Sequence, residues 1–219
     1  MKRLTKIKHI TKPFLDRNPN FALVGRVLVR LPVEHIICGI HLMSASTKDV
    51  FFVHPSAAHM FFPRTILGFH WSERVRRREP GLWNFEEPGI GEELADQIEA
   101  KALPLLEPIR TIRDYMKLMG IGEPADGRFV RRMIFEAAMG DLDAARRACC
   151  RLWHPDIINL DPPPQDGVLE IPQKLGPLIA RDDREGIAAV LRSWEESSAK
   201  VYGVEKYWQP TPFPIEETA

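Results

Sequence analysis

The sequence predicts an α+β protein, with an N-terminal antiparallel β-sheet of three to five strands, helices on one face of that sheet, and an all-helical C-terminal half. Two observations carry this prediction. Strand-like segments joined by short breaks fill residues 21–71, and apolar residues recur at helical spacing from residue 91 onward. We expect an α+β domain over residues 1–119 and a helical subdomain over residues 120–219, packed on the first.

The strand-like segments are residues 21–31, 33–45 and 50–55, continued by 57–63 and 65–71. Only Pro32 separates the first two, which predicts a hairpin or a kinked strand. The polar residues 46–49 predict a turn, and Pro55 is expected to stop the third strand. Pro63 and Gly68 mark breaks or bulges. The resulting meander should bury one face.

Residues 72–89 are charged and rich in turn formers, so we expect a loop there. Helical patterns follow at residues 91–109, 111–120, 128–153, 171–180 and 182–203. Pro104 should kink or end the first of these helices, and Thr111 should cap the second.

The segment 128–153 is interrupted by Gly140 and Asp141, a helix stop followed by an N-cap residue, which predicts a helix hairpin. It resembles one unit of a tetratricopeptide-type repeat, but the sequence contains no second copy at a fixed period. In the last helix, Asp182 is the expected cap and Gly203 the expected stop. The tail from Gln209 is expected to be extended.

Charge and composition restrict the partners. Lysine plus arginine number 30, as do aspartate plus glutamate, so the neutral chain disfavours nucleic acid and anionic membranes as ligands. The three cysteines do not form a secreted disulfide framework. Neither a secretory signal nor a run of about 18 apolar residues is present. We therefore expect a soluble, cytoplasmic protein without a membrane partner.

The segment FFVHPSAAHMFFPRTILGFHW holds three histidines, which suggests a metal site. Metal ligands must converge on one ion. Pro55 separates His54 from His59, and six residues of strand place His35 about 20 Å from His41. The sequence therefore predicts no metal and no cofactor. A metal role for His35, His41 or His54 would require that folding gather them on one sheet face.

Signals for nucleophilic catalysis are equally weak. The chain has no G-x-S-x-G turn, and Cys149 and Cys150 lie about 100° apart on a helix, so at most one faces the core. Cys38, in an apolar strand, is expected to be inert. The glycines of PGIGEE are followed by two glutamates, which would repel a phosphate. These observations favour a protein that is not an enzyme.

An arginine-rich loop is the strongest charged feature. Arg74, Arg76, Arg77 and Arg78 lie close to Trp71 in sequence, and such a cluster could bind nucleic acid or an acidic partner by charge and stacking. Four glutamates in residues 73–87 offset this charge, which favours an ordinary solvated loop.

A resemblance extends from about Leu23 to Tyr115. It is carried by LVRLPVEHIICGIHLMSASTKDVFFVHPSAAHMFFPRTILGFHWSERV, by LW, and by LADQIEAKALPLLEPIRTIRDYM. This part of the chain resembles an uncharacterised family of bacterial cytoplasmic proteins. The resemblance implies a bacterial origin and a fold class, but no activity and no site. The family pattern has apolar or aromatic residues where His54 and His59 stand, which implies that neither binds a metal. The helical half loosely resembles the C-terminal regions of bacterial immunity-type proteins.

We therefore expect a non-enzymatic module that binds another protein through the exposed sheet face or the helix hairpin. Tryptophan and arginine dominate interface hot spots. The candidate binding residues are His70, Trp71, Arg74, Arg76, Arg77, Trp83 and Trp208. One alternative is a small-molecule or metal-dependent enzyme with a site on the sheet face. A further alternative is nucleic-acid binding through the loop Arg74–Arg78.

Overall fold

A computed structural model of the chain describes residues 3–63, 66, 68–77, 81–121, 129–152 and 170–217. Within these residues an antiparallel sheet in the first half is followed by a helical second half, which confirms the predicted α+β class. The sheet has six strands rather than three to five, because residues 71–72, at the start of the predicted loop, and residues 83–84, within it, add short strands.

The strands are β1 (Phe21–Val24), β2 (Val27–Arg30), β3 (Ile36–Ser44), β4 (Val50–His59), β5 (Trp71–Ser72) and β6 (Trp83–Asn84). They lie in the order β1-β2-β3-β4-β5, and β6 also pairs with β4. The longest pairing joins β3 to β4, with Ser44 opposite Phe51 beside the turn and Ile36 opposite His59 at the far end.

The helices are α1 (Arg3–Arg17), α2 (Ile90–Gln97), α3 (Leu103–Leu106), α4 (Ile112–Leu118), α5 (Phe129–Met139), α6 (Leu142–Leu152), α7 (Glu170–Ala180), α8 (Arg184–Tyr202) and α9 (Pro214–Glu217). A π-helical turn, Ile98–Ala102, joins α2 to α3. Pro104 does not end the helical segment, because α3 includes it in its first turn, and the irregular π-helical turn lies just before it.

Two predictions about the strands are wrong. The segment 21–31 is a hairpin rather than one strand, because Gly25 has a φ of 59° and starts a two-residue turn between Val24 and Val27. The strand β4 continues through Pro55. The Pro55 carbonyl accepts from the Glu73 amide at 3.1 Å, so its missing N–H faces the same side, toward the short β5.

The segment predicted as a strand at 65–71 contributes only Trp71 to the sheet among its described residues. The predicted turn at 46–49, by contrast, is confirmed, because these residues join β3 to β4.

The helix hairpin is confirmed. Gly140 has a φ of 82°, and the Asp141 carboxylate accepts a hydrogen bond from the Ala144 amide at 2.8 Å. The Thr111 cap is also confirmed, since Thr111 and Asp114 form a reciprocal capping box.

Three terminal details differ from the expectations. Asp183, rather than Asp182, caps α8, with its carboxylate accepting from the Gly186 amide at 2.9 Å. The tail is not wholly extended, because residues 214–217 form α9. The unpredicted helix α1 buries Ile7, Ile10 and Phe14 on one face, a helical spacing that the surrounding lysines and Pro13 obscure in the sequence.

The two faces of the sheet are covered differently. On the inner face, Leu28, Ile40 and Phe51 join the main core, to which helices from both halves of the chain contribute. On the outer face, a smaller cluster forms around Ile37 and Ala58. It is closed by the C-terminal end of α8 and the residues that follow it, Ala199, Tyr202 and Val204.

Candidate functional site

The outer face of the sheet is covered over only half of its length. Beyond the small cluster, β3 and β4 continue toward their connecting turn with His41, Met43, Phe52 and His54 on this face. Arg74 extends over the same area. We call these five residues the open surface. Met43 is 41% exposed and Arg74 is exposed, while both histidines and Phe52 are half-buried.

The register of β3 against β4 brings the residues of the open surface together. His41 lies directly opposite His54, and Met43 directly opposite Phe52, on neighbouring antiparallel strands. The Arg74 guanidinium carbon lies 4.1 Å from the centroid of the Phe52 ring, within the range of a cation–π interaction. The His54 ring contacts Phe52 edge-on at 6.5 Å between centroids. The result is a continuous patch of aromatic, thioether and basic groups.

Burial and nearby charges keep the His41 and His54 side chains, here called the histidine pair, neutral at pH 7. Burial lowers the pKa of His41, and the nearby His54 and Arg26 lower it further. Burial also lowers the pKa of His54, followed by the charge of Arg74, while a hydrogen bond with the Glu73 backbone acts in the opposite direction. Among the described residues, neither Arg26 nor Arg74 has an acidic ion-pair partner.

A metal site would need more donors than this pair supplies. The structure gathers His41 and His54 but places His35 elsewhere, against α8 and the C-terminal segment. No group of three or more histidine, cysteine, aspartate or glutamate residues in the described part of the chain is arranged to hold a metal ion. Arg26 and Arg74 beside the pair would repel a cation.

His35 belongs to a second polar cluster that resembles a catalytic triad in its connections. Its Nδ1 lies 2.8 Å from Glu195 Oε1, and its Nε2 lies 3.2 Å from the Thr211 hydroxyl. The same Nε2 lies 3.1 Å from the Pro212 carbonyl, which can only accept. This contact favours a hydrogen on Nε2, which leaves no lone pair there to take a proton from Thr211. The cluster holds the C-terminal segment in place, and we call it the C-terminal clamp.

Burial and stacking support this structural role. Glu195 has no exposed surface, and burial raises the pKa of its carboxyl while the hydrogen bond from His35 opposes that effect. The His35 ring stacks on buried Phe213 at 4.3 Å between centroids. Beside the clamp, Val33 forms a parallel bridge with Trp208, and the Gln209 amide donates to the Val33 carbonyl at 2.8 Å.

The structure packs four of the predicted binding residues against its cores, although only one of them is fully buried. The Trp83 side chain is buried, and its indole nitrogen donates to the Val75 carbonyl at 3.3 Å. His70 Nδ1 lies 3.2 Å from the Tyr115 hydroxyl. Trp71 is half-buried against the main core, and Trp208 is half-buried against the outer-face cluster. Trp83, Trp71 and His70 therefore lie on the inner-face side and Trp208 on the outer-face side, so these residues do not form a shared contact patch.

The predicted arginines separate onto different sides. Arg77 makes two 2.7 Å hydrogen bonds to Glu87 and also bonds Glu93 on α2, so carboxylates raise the pKa of its guanidinium. Arg74 instead lies over Phe52 on the outer face. Arg76 is exposed, and the predicted contribution of Arg78 lies outside the described residues. The described arginines therefore do not form one basic strip.

Sequence reasoning missed Phe52 and Met43, and it missed the pairing of His41 with His54. The signal was available in the predicted turn at 46–49. In an antiparallel hairpin, residues at equal distances from the turn face each other. Applying that rule places 41 opposite 54 and 43 opposite 52, as observed.

Comparisons with protein-family models, with curated proteins and with solved structures find no match to this chain. The resemblance suggested by residues 23–115 therefore stays a prediction. Across the described residues, the helices are too short or too polar to cross a membrane.

Proposed function

We propose that this chain is a non-enzymatic protein that binds another protein through the open surface. The observation that supports the proposal is the half-covered outer face, where Met43 and Phe52 lie beside Arg74, which has no acidic ion-pair partner in the described part of the chain. Methionine, aromatic residues and arginine are the side chains enriched in the centres of protein interfaces.

The open surface is a better candidate than the helix hairpin. The apolar stripes of α5 and α6 are already used, because Met133, Ile134, Ala145 and Leu152 are buried in the main core. The outward side of α6 carries charged residues such as Arg147 and Arg151. A partner would find little uncovered apolar area on the hairpin, whereas the sheet offers Met43 and Phe52 side by side.

The alternatives have weaker support. The hypothesis that His35 is the general base of an enzyme is disfavoured, because its Nε2 contacts the Pro212 carbonyl. The hypothesis of nucleic-acid binding is weakened because Arg77 is already paired with Glu87 and Glu93. The resemblance of the helical half to immunity-type proteins is compatible with protein binding, and neutralising a protein toxin is one form that such binding would take.

A capture experiment tests the proposal. The wild-type chain, the double variant Met43→Ser/Phe52→Ser and the control variant Leu118→Ser would each be immobilised and exposed to lysate of the source organism. Leu118 is a 37% exposed apolar residue on α4, outside the open surface. We expect at least one protein bound by wild type and control but lost from the double variant. If every captured protein is retained by the double variant, the proposal is wrong.

A further inference from the structure

We infer that the open surface binds an acidic segment of its partner, with aspartate or glutamate side chains flanking an apolar residue, and that binding tightens as the pH falls from 7.5 to 5.5. This inference deepens the proposed function and rests on it. It concerns the chemistry of the partner and the role of His41 and His54, neither of which the capture experiment addresses.

The first argument is charge complementarity. Arg74, in the segment after β5, lies on the outer face with its guanidinium over the Phe52 ring, and among the described residues it has no acidic ion-pair partner. Arg26, in the β1–β2 turn, lies opposite Leu42 and donates to the Ser44 hydroxyl, so strand alternation places its side chain toward the inner face, although its charge still acts on His41. A guanidinium group beside a histidine pair on an open face favours carboxylates in the partner.

The acidic residues nearest in sequence are directed elsewhere. Glu73 lies opposite Pro55 in the register, so strand alternation places it on the face opposite to Arg74. Asp49, in the turn at the end of the sheet, is paired with Lys6 of α1 at 2.8 Å. Lys48 in the same turn adds a further basic group. The positive character of the surface is therefore not cancelled by these neighbours.

The second argument is shape and packing. Met43 and Phe52 lie side by side next to the histidine pair, and the Arg74–Phe52 stack gives the surface an aromatic edge. An apolar side chain of the partner would cover Met43, while the carboxylates beside it would reach Arg74 and the histidine pair. A purely acidic segment would leave Met43 uncovered, so the inference specifies a mixed acidic and apolar segment.

The third argument is proton linkage. In the free protein, burial and neighbouring positive charges keep His41 and His54 neutral at pH 7. Carboxylates placed against the pair would favour the protonated rings, so complex formation takes up protons. Affinity then rises as the pH falls through the range below 6.5, where the free histidines are still partly neutral. Glutamate side chains, with an ordinary pKa of about 4.3, stay ionised at pH 5.5.

The test uses two blocked peptides, Glu-Glu-Phe-Glu-Glu and Gln-Gln-Phe-Gln-Gln, titrated into the full chain at low salt. The Met43 methyl and the His41 and His54 ring signals would be followed by NMR at pH 7.5 and 5.5. We expect the glutamate peptide to bind about tenfold more tightly than the glutamine peptide at pH 5.5, and about tenfold more tightly at pH 5.5 than at pH 7.5.

Three variants connect these effects to the named residues. His41→Gln/His54→Gln should remove most of the pH dependence. Arg74→Glu should weaken binding of the glutamate peptide at both pH values, so that this peptide no longer binds more tightly than the glutamine peptide. Arg151→Glu, an exposed charge reversal on α6, is the control and should change neither affinity nor its pH dependence.

Several outcomes would overturn the inference. Equal affinity of the two peptides at the Met43 signal would show that acidity is not recognised, while leaving the proposed function to the capture experiment. If the affinity of His41→Gln/His54→Gln for the glutamate peptide still depends on pH, the two histidines are not responsible for that dependence. Failure of both peptides to shift the Met43 signal would reject the acidic segment, even if the capture experiment succeeds with a partner of other chemistry.

Discussion

The two faces of the β3–β4 hairpin differ sharply although their residues alternate along the same strands. Leu42 is 1% exposed on the inner face, whereas its neighbour Met43 is 41% exposed on the outer face. Phe51 is fully buried against Phe85, while Phe52 is half-buried beneath the Arg74 guanidinium. Residue type alone therefore does not decide burial here; the helices that cover each face do.

The histidines follow the same division. His59, on the inner face, is fully buried and stacks on His70 at 4.7 Å between ring centroids. His41 and His54, on the outer face, lie half-exposed beside arginines. The comparison teaches that inner-face histidines contribute to packing, while the outer-face pair stays accessible to protons and ligands.

The largest predicted effect compares the two adjacent phenylalanines. Phe51→Ala should lower the free energy of unfolding by about 4 kcal/mol, because it empties a fully buried site. Phe52→Ala should cost about 1 kcal/mol or less, since it removes mainly the stack with Arg74. Urea denaturation followed by circular dichroism measures both. Equal losses would show that the outer face is as well covered as the inner face.

The C-terminal clamp provides the next comparison, again between neighbours. Glu195→Ala should destabilise the fold by about 3 kcal/mol, because it removes the buried partner of His35. Glu196→Ala should change stability by less than about 0.5 kcal/mol, because Glu196 is exposed and paired only with Lys200 in the described structure. Denaturation should be combined with limited proteolysis. If the clamp holds the tail, cleavage near Gln209 accelerates in the Glu195 variant alone.

Substituting Arg77 and Arg74, which lie on opposite faces, should change stability by different but smaller amounts. Arg77→Ala should cost about 1.5 kcal/mol, since its side chain is largely buried between Glu87 and Glu93. Arg74→Ala should stay within about 0.5 kcal/mol of wild type, because Arg74 is exposed. Thermal denaturation in low and high salt checks this prediction, and only the Arg77 effect should shrink as salt rises. A larger loss for Arg74 would reverse the assignment of the two faces.

The smallest expected effect is the pH dependence of stability. The pKa values of His41 and His54 are lowered in the folded protein, so the unfolded chain binds protons more readily below pH 6.5. Folding stability should therefore fall as the pH drops from 6.5 toward the lowered pKa values. His41→Gln/His54→Gln should reduce that fall, as measured by urea denaturation at pH 7 and pH 5. An equal loss of unfolding free energy between pH 7 and pH 5 in variant and wild type would contradict the lowered pKa values of the two histidines.

Local sequence rules predicted much of the fold. Gly140 followed by Asp141 located the helix hairpin, and Thr111 with Asp114 located the start of α4, because caps and stops depend on a few neighbouring residues. Pro55 was misjudged because a proline is tolerated when its missing N–H faces a short edge, a property of the neighbouring strand rather than of the segment itself.

The candidate site was harder to predict, since it depends on what leaves a surface uncovered. Strand alternation could place Phe52 and His54 on one face, but only the tertiary structure shows that α8 closes the region around Ala58 and ends before it reaches Met43. Trp83 illustrates the converse. Its residue type suggested a contact surface, yet packing over Phe51 and a bond to the Val75 carbonyl bury it.

The clamp also bears on how the chain acquires its structure during synthesis. His35 and Pro212 are 177 residues apart in sequence, so a ribosome adding roughly 5–20 residues per second exposes the start of β3 for about 10–35 s before its partner is made. Val33 and His35 must therefore emerge uncovered, and the later-translated segment 208–212 covers them. A nascent chain stalled before Trp208 would present this unfinished edge to chaperones.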